Sequence, residues 1–144
     1  MSLLFRRTTP GQVDLGLFVL RLVAGAAFAA HGGQKLFVYG FAGVTGAFTQ
    51  MGVPMPGVMG PFIALLEFVG GLALVVGLLT RPIALLLACD MAGAIALVHL
   101  MNGYFLPNGV EYALLLLGCA LTLVVTGAGA YAFDALFGRR ERRY

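Results

Sequence analysis

Long apolar stretches dominate this 144-residue chain and decide what it can fold into. There are four of them, each with about 20 residues and few charges, which is the length that a helix needs to cross the hydrocarbon core of a bilayer. Hydrophobic residues make up 60% of the chain and charged residues 10%, so a soluble domain of this size would leave much of its apolar surface in water. The sequence therefore predicts a polytopic membrane protein embedded in the lipid bilayer.

The predicted architecture is all-α: one domain, residues 1–144, folded as a four-transmembrane-helix bundle. Gly32-Gly33 is expected to end the first span, and the short turn Thr80-Arg81 makes the second and third spans an antiparallel hairpin. Residues 36–56 have apolar positions at near-helical spacing and predict a short interfacial helix between the first two spans. The four spans run from Val13 to His31, from about Gly57 to Leu79, from Pro82 to His99 or Met101, and from Glu111-Tyr112 through Thr126.

The basic residues outside the spans predict how the bundle is oriented. Lys35 falls alone on one side, and the positive-inside rule therefore places both termini in the cytoplasm. This predicts a multi-pass protein of the cytoplasmic (inner) membrane of a bacterium or archaeon. The net charge of +3 is concentrated at the chain ends, which is typical of membrane anchors and speaks against nucleic-acid binding. The residues on the cytoplasmic side are Arg6, Arg7, Arg81, Arg139, Arg140, Arg142 and Arg143.

Ionisable residues inside the spans predict a polar core. Arg21, Glu67 and Asp90 fall at a similar depth when each is counted at 1.5 Å per residue from the end of its span. A charge in the hydrocarbon costs roughly 2.5–3.5 kcal/mol or more, so such side chains normally turn inward and pair. The sequence predicts a cluster of these three residues, which is either a proton-coupled or redox-linked site or a buried ion cluster that only fixes helix register.

A second polar group is predicted at the outer ends of the spans, formed by His31, Lys35, His99, Asn102 and Glu111. Two histidines at the ends of separate helices suit a quinone head group, a proton relay or a metal ion; the alternative is that they are solvated caps. No Cys/His spacing typical of a metal site is present, so no metal ligand is assigned. Nine residues separate Asp90 from His99, which puts them on opposite faces of an ideal helix, so a direct relay needs a bend or water.

Several motifs of this chain occur together and in a recognisable order: Arg21, His31-Gly-Gly-Gln-Lys35-Leu-Phe, Gly52-Val-Pro-Met-Pro56, Glu67-Phe-Val-Gly70, His99-Leu-Met-Asn102-Gly-Tyr104 and Asn108-Gly-Val-Glu111-Tyr112. Over about residues 15–137 the chain resembles the DoxX family, which is named after a small subunit of a thiosulfate:quinone oxidoreductase. The resemblance implies a four-helix membrane protein associated with membrane redox chemistry. It covers all the polar residues named above except Asp90, about which it says least.

These observations predict a membrane-embedded, redox-associated protein that binds a quinone or a similar lipophilic aromatic, as a subunit of a quinone-linked oxidoreductase complex. No flavin, haem or iron–sulfur motif is present, so electrons would come from a redox partner protein or from the quinone itself. The expected partners are that protein, the bilayer and further copies of the chain. The predicted catalytic residues are Arg21, His31, Glu67 and His99, and the predicted cofactor-binding residues are Lys35, Asp90, Asn102 and Glu111.

Two other functions stay open at this point. Four helices with a membrane-embedded glutamate also describe small proton-coupled transporters, although a Glu67 paired with Arg21 exchanges its proton less readily. A non-catalytic scaffold or assembly factor would use the helix faces and outer loops to hold partners, and the missing cofactor motif favours it.

Overall fold

The computed structural model describes residues 8–141, and for residues 138–141 the backbone alone. Arg6, Arg7, Arg142 and Arg143, which entered the charge count, lie outside the described residues. A π-helical segment, Gln34–Tyr39, joins α1 to α2, and α4 is extended by the π-helical segment Ile95–His99 and by a 3₁₀ turn, Leu100–Asn102. The helices are α1 Pro10–Gly33, α2 Gly40–Gln50, α3 Pro56–Val76, α4 Thr80–Ala94, α5 Glu111–Thr126 and α6 Asp134–Glu141.

α1 and α3 pack antiparallel through an interface of glycines. A Cβ atom at Gly25 would lie 2.7 Å from the carbonyl oxygen of Gly71, and a Cβ at Gly71 would lie 2.9 Å from the Cα of Ala29. Further along, a Cβ at Gly32 would lie 2.7 Å from the Cα of Phe68. Because real Cβ atoms do not approach this closely, the two backbones touch at these places only because one of the two helices supplies a glycine. These glycines fix the register of the two helices.

The expected helix end at Gly32-Gly33 is wrong. The helix runs through both glycines, Gly33 has αR dihedral angles (φ −60°, ψ −42°), and the chain first breaks at Gly40, where φ is +66°. Glycine ends helices when it occupies the left-handed region, but it also permits close backbone contact in the right-handed region. Gly32 has the second role, which the dipeptide alone does not reveal.

The turn between α3 and α4 is built from Gly77 (φ +74°), Leu78 and Leu79 (φ +48°), so it precedes the predicted Thr80-Arg81 turn. The carboxylate of Asp134 accepts hydrogen bonds of 2.8 Å from the backbone N–H groups of Leu79 and Thr80. These N–H groups lie at the start of α4, where an anion is favoured. A side chain from the C-terminal segment therefore caps α4, and no local residue signals it.

α4 and α5 form the second antiparallel pair, and the bundle core lies between the two pairs. Phe28 of α1 and Leu74 of α3 are fully buried against Leu87 of α4 and Leu123 of α5. In lipid such packing rests on dispersion and close contact, because the surrounding solvent is as apolar as the core. We call the end where α1 finishes and α5 begins the histidine end, and the opposite one the arginine end.

The outward face of the bundle is apolar, with large exposed side chains such as Val23, Val69, Leu85 and Leu115. Three helical stretches are long and apolar enough to cross a membrane: Pro10–Gln50, Pro56–Val76 and Thr80–Asn102. α5 is equally apolar but has only 16 residues. The all-α class is confirmed, since the described residues form helices and no strand. The count of four spans stays a prediction.

α2 lies within the segment 36–56, where the sequence predicts a helix. Its buried Val44 and its Thr45 contact Gly60, so α2 packs on the first turns of α3. Its position relative to a membrane surface stays a prediction.

We expect Gly32→Ala to lower the thermal stability of the detergent-solubilised protein. The new methyl group collides with the backbone of α3, and overpacking of this kind costs about 1–3 kcal/mol, more than the roughly 1 kcal/mol of helix propensity that alanine gains. Gly16→Ala in the same helix is the matched control, because a Cβ there meets nothing within 4 Å; it should leave the melting temperature unchanged or raise it. Equal stability of the two variants would contradict the glycine interface.

Candidate functional site

A cavity of about 320 Å³ lies at the histidine end, between α1, α3, α4 and α5. Its polar lining comes from His31, Lys35, Glu67, His99 and Tyr112. Small-molecule sites in proteins have this character: a mostly apolar concavity of roughly 300–1,000 Å³ with a few convergent polar groups. The walls are otherwise apolar and include Phe28, Met91, Ala94, Ala113 and Leu116.

Lys35 and Glu67 form an ion pair at the edge of this cavity. The Glu67 side chain is 4% exposed and that of Lys35 is 23% exposed. The register of α1 against α3 brings them together, since the backbone of Gly32 touches that of Glu67 and Phe68, and Lys35 lies one turn further along. Pairing is what keeps a carboxylate charged at such a buried position.

Asp90 lies beside this ion pair and does not line the cavity. Glu67 and Lys35 are the charged groups that interact with it electrostatically. Its Oδ2 atom is buried and has no hydrogen-bond partner among residues 8–141. The two carboxyl groups thus share one lysine in the interior of the bundle.

His99 reaches the cavity because α4 ends in a π-helical segment. Met91 and Ala94 line the cavity from α4, and in a continuous α-helix the next residue on their face would be Val98. The π turn of Ile95–His99 holds one extra residue per turn and shifts that place to His99. The π-helical segment therefore changes the register of His99 relative to Asp90, which the count along an ideal helix does not include.

The loop of residues 103–110 covers the cavity and contributes Leu106, Pro107 and Gly109 to its wall. Its base is closed by a hydrogen bond of 3.0 Å from the backbone N–H of Val110 to the carbonyl of Gly103. His99 joins α4 to the loop, with its Nδ1 atom 2.8 Å from the carbonyl oxygen of Asn108. The same histidine therefore lines the cavity and fixes its cover.

Two predicted cofactor-binding residues lie at the histidine end but outside the cavity lining. The side-chain amide of Asn102 donates to the carbonyl of Val98, 2.9 Å away in its own helical segment. The Glu111 carboxylate accepts a hydrogen bond of 2.7 Å from the backbone N–H of Leu106. The Asn102 side chain therefore stabilises the end of α4, and the Glu111 side chain stabilises the loop.

Tyr112 is a cavity residue that the sequence analysis missed. Its ring lies against that of His31, with centroids 5.4 Å apart, and its hydroxyl is within electrostatic reach of Glu67. The sequence does contain a signal for Tyr112 as a cavity residue. Tyr112 follows Glu111 at the start of a span and therefore lies at the same level as His31 and His99. An aromatic residue there is also expected as an interfacial anchor, which is why the position did not stand out.

Arg21 lies at the arginine end, so the predicted Arg21–Glu67–Asp90 cluster is wrong for Arg21, while Glu67 and Asp90 are neighbours. Its fully buried guanidinium donates hydrogen bonds to the carbonyl oxygens of Ala128 (2.9 Å), Leu74 (3.0 Å) and Val75 (3.2 Å), and also to that of Tyr131. Leu74 and Val75 belong to the last turn of α3, whose free carbonyls favour a cation.

The glycine register explains the separation. Gly32 lies opposite Glu67, and Arg21 precedes Gly32 by eleven residues, which is about 16 Å along the helix. Counting depth from the assumed end at Gly32-Gly33 therefore misplaced Arg21. Lys35, which the sequence analysis expects at the outer end of the first span, lies beside Glu67 because the helix continues.

Among residues 8–141, no three His, Cys, Asp or Glu side chains come together in the way that a metal ion requires. The polar lining is instead a mixture of one cation, one carboxylate, two imidazoles and a phenol.

Comparison with known proteins identifies the family. The sequence profile that matches residues 16–100 is that of DoxX. The chain belongs to the DoxX family. It is 36% identical to the inner membrane protein YqjF of Escherichia coli over 132 residues, which are 88% of this chain and 95% of that protein. It is 34% identical to the "Putative oxidoreductase CatD" of Bacillus subtilis over 122 residues, 84% of this chain and 86% of that protein.

The predicted family is thereby confirmed, and with it the membrane class, since the apolar helices of this DoxX protein agree with a relative named as an inner membrane protein. The profile covers α1 to α4, including Arg21, His31, Lys35, Glu67, Asp90 and His99. No solved structure matches the chain. The roles assigned to these residues stay predictions.

We expect Lys35→Met to destabilise the protein by about 3 kcal/mol. The substitution leaves Glu67 buried without its counter-ion, and breaking a buried pair in this way costs about 3–5 kcal/mol, less where one partner retains some solvent contact. The double variant Lys35→Met/Glu67→Gln removes both charges and should recover most of the lost melting temperature in detergent. If Lys35→Met melts like the wild type, the ion pair does not contribute to stability.

Arg21→Met should destabilise the arginine end by at least about 3 kcal/mol, because several carbonyls lose a charged donor and each such hydrogen bond contributes about 1.5–3 kcal/mol. Limited proteolysis should then cut between residues 127 and 137, and the melting temperature should fall. Arg81→Gln is the control, because Arg81 makes one exposed contact of 3.4 Å to the Val125 carbonyl. An Arg21→Met protein as resistant as this control would refute the assignment.

Proposed function

We propose that this DoxX protein spans the cytoplasmic membrane four times, with the arginine end and both termini in the cytoplasm. α5 is an apolar helix of 16 residues and is extended at the arginine end by the segment that Arg21 binds. Arg81 lies at that end and Lys35 at the other, which is the asymmetry that the positive-inside rule describes. In this orientation the cavity opens toward the outer leaflet.

We propose further that the cavity binds the ring of a quinone or of a similar lipophilic aromatic. The observation that carries this proposal is the combination of apolar walls with His31, Lys35, Glu67, His99 and Tyr112 at one place. Apolar walls accept the ring, and the polar groups at the edge donate hydrogen bonds to its carbonyl oxygens or accept them from its hydroxyl groups. A ligand of this kind reaches the cavity from the bilayer in which the helices lie.

When bound, a quinone supplies the two-electron, two-proton chemistry that the side chains themselves lack. His99, His31 and Tyr112 border the space for the ring from the end of α4, from α1 and from α5. The Lys35–Glu67 pair and Asp90 hold the protons that accompany a change in the ligand's charge. Arg21 has no part in this and keeps the arginine end closed.

Electrons then have to come from a partner. We propose that the protein acts as a membrane subunit of a quinone-linked oxidoreductase complex, and the oxidoreductase part of this proposal fits the name of its relative CatD. The protein either reduces the quinone itself or only binds it for a partner. Supplying thiosulfate or a thiol to the purified protein distinguishes these two forms of the proposal. Reduction of bound quinone by the protein alone indicates an enzyme, and bound quinone that stays oxidised indicates a binding subunit.

Quinone binding is tested on protein purified in detergent. Solvent extraction should recover quinone from the wild type in stoichiometric amounts, and added quinone should raise its melting temperature. His99→Phe should bind quinone up to about tenfold more weakly, because the variant loses the hydrogen bond, about 0.5–1.5 kcal/mol, that holds the cover of the cavity. Leu97→Ala is the control, because Leu97 lies on the same π-helical segment but faces outward.

A wild-type protein that retains no quinone and is not stabilised by it would contradict the proposal. Equal binding by His99→Phe and Leu97→Ala would place the ligand elsewhere.

A further inference from the structure

The hydrogen bond between His99 and the loop decides how the cavity presents this histidine to a ligand. The Nδ1 atom of His99 lies 2.8 Å from the carbonyl oxygen of Asn108. A carbonyl oxygen only accepts hydrogen bonds, so Nδ1 carries the proton. In a neutral imidazole the other nitrogen, Nε2, then has a lone pair and accepts. His99 lines the cavity, and Nε2 is the nitrogen left for a ligand.

One further polar group of the cavity is an acceptor of fixed character. The Glu67 carboxylate only accepts, and it is bound by the Lys35 ammonium, which has N–H groups beyond the one in this ion pair. In the loop, the backbone N–H of Gly109 donates to the carbonyl of Phe105 at 2.9 Å. Tyr112 and His31 can either donate or accept. His99 therefore stands out as a neutral acceptor of fixed character in the cavity wall.

We propose that the cavity selects aromatic rings that carry a hydroxyl group, so that it holds the reduced, quinol form of its ligand more tightly than the quinone. The ligand's O–H donates to Nε2 of His99, with the Glu67 carboxylate of α3 as a second acceptor in the lining. A quinone carbonyl or an aryl ether faces the same nitrogen with lone pairs only and makes no such bond. This inference rests on the proposed function, because it assigns the ligand's chemistry at the same site.

The tautomer is tested first and without a ligand. The chain has two histidines, so in protein labelled with ¹⁵N at histidine the spectrum contains two imidazoles. The variant His31→Gln leaves one of them, which assigns His99. At pH 8 the two-bond ¹H–¹⁵N pattern should be that of an imidazole protonated at Nδ1. The pattern of an Nε2-protonated ring at His99 would overturn the inference.

Ligand selectivity is tested with three six-membered rings that carry the same four methyl groups: tetramethylhydroquinone, tetramethylbenzoquinone and 1,4-dimethoxytetramethylbenzene, measured anaerobically by equilibrium dialysis. The wild type should bind the hydroquinone about tenfold more tightly than the other two, the value of one good hydrogen bond. In His99→Phe the preference should fall to less than threefold, while Leu97→Ala should keep it.

The outcomes separate this inference from the proposed function. Equal affinity of the wild type for all three rings overturns the selectivity and leaves a ring-binding site. No binding of any of them overturns the proposed function together with the inference. A preference for the hydroquinone that persists in His99→Phe shows that another group accepts the proton and overturns the role given to His99.

Discussion

The contact between the glycines of α1 and α3 determines where the polar groups of this protein lie. Gly25 against Gly71 and Gly32 against Phe68 let two backbones touch, and this fixes the register of one helix on the other. The register places Lys35 beside Glu67 at one end and the Arg21 guanidinium on the last carbonyls of α3 at the other. A shift by one turn would separate the ion pair, so packing and electrostatics depend on the same glycines.

The two ends of the bundle differ in what their polar side chains contact. At the arginine end, buried hydrogen bonds from Arg21 and the cap from Asp134 tie the C-terminal segment to the α3–α4 turn, and these groups are fully engaged. At the histidine end, a π-helical segment and a loop held by His99 leave a cavity whose polar groups face inward. Irregular helix geometry of this kind is frequent at functional sites. These features support the proposed ligand site at the histidine end.

The sequence alone predicted the helical class, the approximate helices, the family and seven of the residues now found near or in the cavity. Apolar length and composition determine those features locally. It did not predict that Gly32 continues the helix, that Arg21 binds carbonyls 107 and 110 residues away, or that a π turn brings His99 rather than Val98 to the cavity. Each depends on helix register or on a distant segment, and neither has a local signal. Tyr112 was missed because its position has an ordinary structural explanation.

The most direct test of the account is photo-crosslinking of the purified protein with an azido-quinone, followed by mass spectrometry of the labelled peptides. The account predicts labels on residues 28–35 of α1, on the end of α4 up to His99 and on the loop of residues 103–110, all suppressed by excess unlabelled ligand. Labels confined to the arginine end or spread over the lipid-facing side chains, without competition, would contradict the claim that the histidine end is a ligand site.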